Sequence, residues 1–290
     1  VRVEGGGHDL IDRPDPDPEQ PDPDPRRAER AMIAEARRVA LESGAATTIE
    51  CWGEAGPAIL CVHGIGSSRR DFARLGEELA GTHRVFAYDQ RGHGDSAASE
   101  PMTLDALAAD LRAVADSIGT VAAVVGHSWG GAVALVGGPK VARALVLVDP
   151  MIRVAPGTFT SDYVDELAAL LAHGPGEERD DAVRETFAAA DPRDRDGKVH
   201  AMHALELETL RRLGRDNDAD AGGWDLRERL SALKIPTTIL VAGDESVIAP
   251  DDLARTSPTV HIETFDGHGH TLHRSAFVRF ADAVRAAVPA

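Results

Sequence analysis

The sequence predicts an α/β fold: a mostly parallel central sheet flanked by helices and interrupted once by a helical insertion. From about Ala46 onward, short apolar, β-branched runs alternate with amphipathic segments, the pattern of strands joined by crossover helices. Between Met151 and about Ala232 the alternation stops and the chain becomes charged, with helical spacing. A glycine-bracketed serine follows one of the apolar runs.

The elements follow in order. Residues 1–45 read as an N-terminal arm plus one helix. The run Asp15-Pro16-Asp17-Pro18-Glu19-Gln20-Pro21-Asp22-Pro23-Asp24-Pro25 repels itself and lacks the amide donors that helices and central strands need. Arg26 to Leu41 carries Ala31, Ile33, Ala34 and Val39 among charges, which predicts an amphipathic helix. Strands are predicted at Thr47–Trp52, Ala58–Val62, Val85–Tyr88, Val121–Val125, Ala144–Val148, Thr237–Val241 and Val260–Thr264, and helices at Phe72–Ala80, Thr103–Ile118 and Ala276–Ala287. The core therefore comprises residues 46–150 and 233–290. The insertion, 151–232, holds predicted helices Ser161–His173, Arg179–Ala190 and Val199–Leu213, with a return loop over Asp216–Gly223.

Bulk properties exclude several functions. A net charge of −17 and a pI near 5.1 argue against nucleic acid and against an anionic membrane surface. The two cysteines, Cys51 and Cys61, lie in apolar strands and suggest neither a disulfide framework nor a thiolate metal site. No apolar run approaches the roughly 20 residues of a membrane span, and no basic-then-apolar leader is evident. A cytoplasmic location is the expectation, although a chain starting at Val1 is compatible with a processed start.

The chemistry begins at Gly126-His127-Ser128-Trp129-Gly130, which matches G-x-S-x-G between a predicted strand and a predicted helix. Such a turn strains the serine backbone and leaves no room for side chains at the flanking glycines. A serine hydroxyl needs a base to take its proton and donors to hold the oxyanion. His63-Gly64-Ile65-Gly66, directly after the strand Ala58–Val62, can supply a backbone N–H from Ile65 to act with that of Trp129.

With these segments, Asp89-Gln90-Arg91-Gly92-His93-Gly94-Asp95-Ser96 and Gly267-His268-Gly269-His270 occur in a compatible order. In this the chain resembles the α/β-hydrolase superfamily, of the compact bacterial esterase and perhydrolase type, over about residues 46–290. The resemblance implies the α/β-hydrolase fold with a helical cap inserted after the family's sixth strand. It selects His270 as the base over His268 and His273 and makes the segment around His93 a structural turn. His63, Gly64 and Trp129 are expected to border the substrate.

The acid departs from the family. Gly243 and Pro250 keep the spacing of the usual G-x-x-D-x-x-x-P segment, but Ser246 stands where the aspartate belongs. Asp149, after the sixth strand, is the first choice; Asp244 and then Glu245 are the alternatives. Twelve histidines occur, yet His268, His270 and His273 lack a second cluster with ligand spacing, so neither metal nor cofactor is expected. The expected function is hydrolysis of a small to medium carboxylic ester or lactone, with Leu167, Leu170, Met202, Leu205 and Leu210 lining the pocket. The alternatives are a C–C bond hydrolase, a perhydrolase or acyltransferase, and a hydrolase-like ligand-binding or signalling protein. The oligomeric state is open.

Overall fold

The computed structural model describes residues 35–41, 43–155, 162–217 and 222–289. The acidic, Pro-rich run and residues 26–34 of the predicted first helix lie outside them. Eight strands form one sheet in the order β1-β2-β4-β3-β5-β6-β9-β10. They are β1 (Glu35–Ala40), β2 (Ala46–Trp52), β3 (Ala58–Val62), β4 (Arg84–Tyr88), β5 (Val121–His127), β6 (Ala142–Val148), β9 (Thr237–Ala242) and β10 (Val260–Phe265). From β4 to β10 neighbouring strands pair in parallel, whereas β1–β2 and β2–β4 are antiparallel.

Strand β1 corrects the expected helix over Arg26–Leu41. Within Glu35–Leu41 the buried residues are Val39 and Leu41, two apart, while Arg37 and Arg38 are exposed. Pairing with β2 supplies the backbone hydrogen bonds that a helix would have made internally, and the edge arginines discourage further strand addition.

Alternation along the strands divides the core. Ile59 and Cys61 of β3 face helices α1 (Ala73–Leu79) and α9 (Phe277–Ala287), packing with Phe72, Leu75, Phe277 and Phe280. Leu60 and Val62 face the opposite way, toward α2 (Leu104–Ile118) and α3 (Trp129–Gly137). Both faces of the sheet are covered, which is why its central strands read as continuous apolar runs.

The insertion between β6 and β9 holds α4 (Asp162–Leu171), α5 (Glu177–Thr186), α6 (Pro192–His203), α7 (Leu207–Asn217) and α8 (Arg227–Ser231). A two-residue ladder that sequence did not foresee, β7 (Arg153–Val154) with β8 (Trp224–Asp225), closes its base. The expected single helix Val199–Leu213 is two helices that break around Ala204–Glu206. Buried Arg179 holds the break: its guanidinium donates to the carbonyls of Met202 at 3.0 Å and Leu205 at 2.9 Å, and also to Leu171 and His173. Leu167, Met202, Leu205 and Leu210 are buried and belong to the core cluster that runs from the sheet into the insertion. Residues 218–221 of the expected return loop lie outside the described residues. Among the described residues no helix is long and apolar enough to cross a membrane.

Candidate active site

The carboxyl ends of the parallel strands, where α/β sheets bind ligands, bring the distant motifs together. Strand β5 ends at His127, and Ser128 turns the chain into α3 with φ 54° and ψ −119°. A non-glycine residue in this region is strained by about 1–3 kcal/mol, and close packing enforces it. A Cβ on Gly130 would lie 2.2 Å from the Val62 carbonyl oxygen, and one on Gly126 would lie 2.4 Å from that of Gly130. Both clashes are with backbone that cannot move without shifting β3 or α3. Gly130→Ala is therefore expected to lower the unfolding free energy by about 3 kcal/mol or more, measured by urea denaturation.

Ser128 Oγ lies 2.9 Å from His270 Nε2, and His270 Nδ1 lies 2.6 Å from Asp149 Oδ2. Asp149 is fully buried at the end of β6, with φ 38°, a left-handed conformation that aspartate tolerates better than most residues. The turn after β9 wraps its carboxylate. The Ala242 and Val247 amides donate to it at 3.1 Å each, and the Ser246 hydroxyl donates at 2.6 Å. Thus the serine at the family's usual acid position serves the carboxylate on the neighbouring strand. Glu245, with φ 53°, makes the sharp turn that presents it. Asp244 and Glu245 are exposed, and among the described residues the His270 ring pairs with Asp149 and Ser128 rather than with either of them. His268 instead pairs through Nδ1 with the Ser275 hydroxyl at 3.0 Å.

The Gly64 loop lies against the serine: a Cβ on Gly64 would be 3.2 Å from Ser128 Cβ. That contact brings the Gly64–Ile65 backbone beside the start of α3, where Trp129 sits. The ring of Trp129 packs 5.8 Å from that of Trp224, tying the insertion's return strand to the elbow. His63, expected to border substrate, has no exposed surface. Its Nδ1–H donates to the Gly64 carbonyl at 2.8 Å and its Nε2 accepts from the Gln90 amide at 3.0 Å, so it braces the loop. His93 performs a similar task, its Nε2 accepting from the Gly66 amide at 3.3 Å.

Burial pushes the His63 imidazole down to about 4, and burial together with His63 pushes His93 down to about 3. Both rings are neutral when folded but take up protons near pH 6.5 when unfolded. The unfolded chain therefore binds more protons below about pH 6.5, and stability falls as pH is lowered through this window toward 4 and 3. Between pH 7 and pH 5 the expected loss is roughly 2 kcal/mol per ring, checked by urea unfolding at the two pH values.

A polar cluster behind the elbow was not anticipated from sequence. His127 Nε2–H donates to the His270 carbonyl at 3.0 Å, and its ring lies 4.1 Å from that of His273, which in turn approaches Asp71. No spacing rule joins positions 71, 127 and 273.

Comparison with known proteins agrees with this architecture. Residues 59–283 match the model of a family described as the alpha/beta hydrolase family. The sn-1-specific diacylglycerol lipase ABHD11 of Mus musculus is 27% identical over 252 residues, covering 79% of this chain and 80% of that one. Lipase LipV of Mycobacterium tuberculosis is 35% identical over 150 residues, 50% of this chain and 57% of the lipase. Among solved structures, the N-formylmaleamic acid deformylase of Pseudomonas putida S16 superposes with a TM-score of 0.71 at 23% identity, covering 86% of this chain and 100% of that one. By family match, sheet topology and the placement of its motifs, the chain belongs to the alpha/beta hydrolase family and is a hydrolase.

Proposed function

We propose that this hydrolase cleaves small to medium carboxylic esters or lactones through an acyl-enzyme on Ser128. The observation that carries the reading is the continuous chain from Ser128 Oγ through both His270 nitrogens to the buried Asp149 carboxylate. His270 Nε2 takes the hydroxyl proton as Oγ attacks the ester carbonyl. Asp149 keeps the remaining N–H on Nδ1 and stabilises the imidazolium.

The N–H groups of Ile65 and Trp129 are assigned to the oxyanion. The Gly64 contact with Ser128 supports the first. The second belongs to the first residue of α3, where the helix dipole favours negative charge. The imidazolium then gives its proton to the leaving alkoxide. Next, the ring draws a proton from water as its oxygen attacks the acyl carbon, and returns that proton to Ser128 Oγ when the acyl–Oγ bond breaks, which releases the acid and restores the serine hydroxyl. The insertion acts as the cap over this site. Relatives named as lipases favour an ester over other acyl substrates.

A panel of short and medium p-nitrophenyl esters and lactones tests this, with Ser128→Ala as the blank. Turnover of an ester or lactone above that blank is expected. Activity confined to vinylogous diketones would replace the reading with C–C hydrolysis, and transfer confined to peroxide would replace it with perhydrolysis. No turnover together with no fluorophosphonate labelling would make the chain a ligand-binding protein.

A further inference from the structure

We propose that Asp71, His127 and His273 form a binding site for one transition-metal ion of the zinc class, directly behind the Ser128 elbow. One ligand atom from each residue lies within 4.8 Å of the other two, and the three residues are 6%, 6% and 3% exposed. Four atoms that bear or can bear lone pairs have no hydrogen-bond partner among the described residues: Asp71 Oδ2, His127 Nδ1, and His273 Nδ1 and Nε2. Buried polar atoms are ordinarily paired. His273 Nε2 lies 3.3 Å from Asp71 Oδ1, so the histidine and the carboxylate already face each other.

The opposite atoms of two of these side chains are already fixed. His127 gives its Nε2 proton to the His270 carbonyl, which leaves the Nδ1 lone pair bare. Asp71 Oδ1 accepts from Arg274 Nε at 3.0 Å and Nη2 at 2.5 Å, which leaves Oδ2. Metal-ligating histidines and carboxylates are oriented in this way, by a backbone carbonyl or an outer hydrogen-bond partner behind the ligand atom. Phe72 and Phe280, about 6 Å from the His273 ring centroid, supply an apolar wall.

Charge and donor type select the ion. Arg274 offsets the single carboxylate, so a hard cation that depends on several oxygens gains little here. Two imidazoles favour zinc, nickel or copper, and zinc accepts a set of two histidines and one carboxylate. The ion would pin His127, next to Ser128, to His273, three residues beyond His270, without touching the reacting atoms. The inference is independent of the ester reading.

A site this buried fills as the chain folds. Tag-free protein is therefore made in zinc-supplemented medium, passed over chelating resin and assayed for metal. About one equivalent of zinc per chain is expected, retained in Ser128→Ala and lost in His273→Gln with the fold intact by circular dichroism. Cobalt-grown protein should show the visible bands of a four-coordinate ion, absent in His273→Gln and His127→Gln. Negligible zinc in the wild type, or equal zinc in wild type and His273→Gln, overturns the proposal. If His127→Gln does not fold, the His273→Gln comparison alone decides.

Discussion

Ser128→Ala is expected to remove ester turnover by about 10⁶-fold in kcat, the scale seen when a hydrolase of this chemistry loses its nucleophile, and to abolish labelling by a serine-directed fluorophosphonate. The two readouts fail for one reason. Phosphonylation, like acylation, needs Oγ as the attacking atom and His270 Nε2, 2.9 Å away, to take its proton. Binding energy and the oxyanion donors survive the change, so substrate affinity should alter far less than kcat. The backbone at 128 stays strained, since alanine finds φ 54° no easier than serine does. Only one hydroxyl with a histidine partner is lost, so the melting temperature should move by no more than a few degrees. Substantial residual labelling would place the nucleophile elsewhere.

The parts of this site that were legible in the sequence are those defined by neighbours along the chain. Ser128 and the Gly64 loop are each set by a strand that ends and a turn that begins, and both events leave glycines and an apolar run. His270 was reached through its place in a motif resembling the family's. The carboxylate was different: Asp149, Asp244 and Glu245 all follow sheet strands, and which one meets His270 Nδ1 depends on how the turn after β9 folds over β6. The signal was present in Ser246, whose hydroxyl fits a partner to a carboxylate on the next strand. The place of His63 is not legible because a histidine beside a glycine-rich loop looks the same in sequence whether its ring faces ligand or, as here, backbone. Strand β1 is ambiguous in sequence because Glu35–Ala40, with Val39 as its one large apolar residue among Ala and Arg, satisfies a helical spacing as well as an alternating one, and the deciding partner, β2, is a tertiary fact. Asp71, His127 and His273 escaped for the same reason, being collected by the end of β5 and two separate helical turns rather than by any local spacing.

Asp149→Asn is expected to lower kcat by about 10⁴-fold, as tautomer control is lost, whereas Asp244→Asn and Glu245→Gln should leave it within about threefold, as surface changes do. The left-handed backbone at 149 suits asparagine as well as aspartate, so the effect is chemical rather than conformational. An amide that turns its NH₂ toward His270 Nδ1 obliges that nitrogen to accept. The ring proton then resides on Nε2, where it blocks uptake of the serine proton. The oxygens that receive Ser246, Ala242 and Val247 also lose their charge, which should cost about 1–3 kcal/mol of stability. Ser246 offers a further test. Its hydroxyl lies 2.6 Å from Asp149 Oδ1, the same carboxylate whose Oδ2 meets His270. A carboxylate introduced there by Ser246→Asp enters the region that the Asp149 carboxylate occupies. Added to Asp149→Asn, it should restore roughly 10- to 100-fold of the lost kcat, a coupling only neighbouring residues show. Added to the wild type, it places two carboxylates side by side and should reduce stability. Recovery in the first background and loss in the second would establish that the turn after β9 and the end of β6 are alternative seats for one carboxylate. No recovery would mean that the turn, built around a serine, cannot carry an acid to His270.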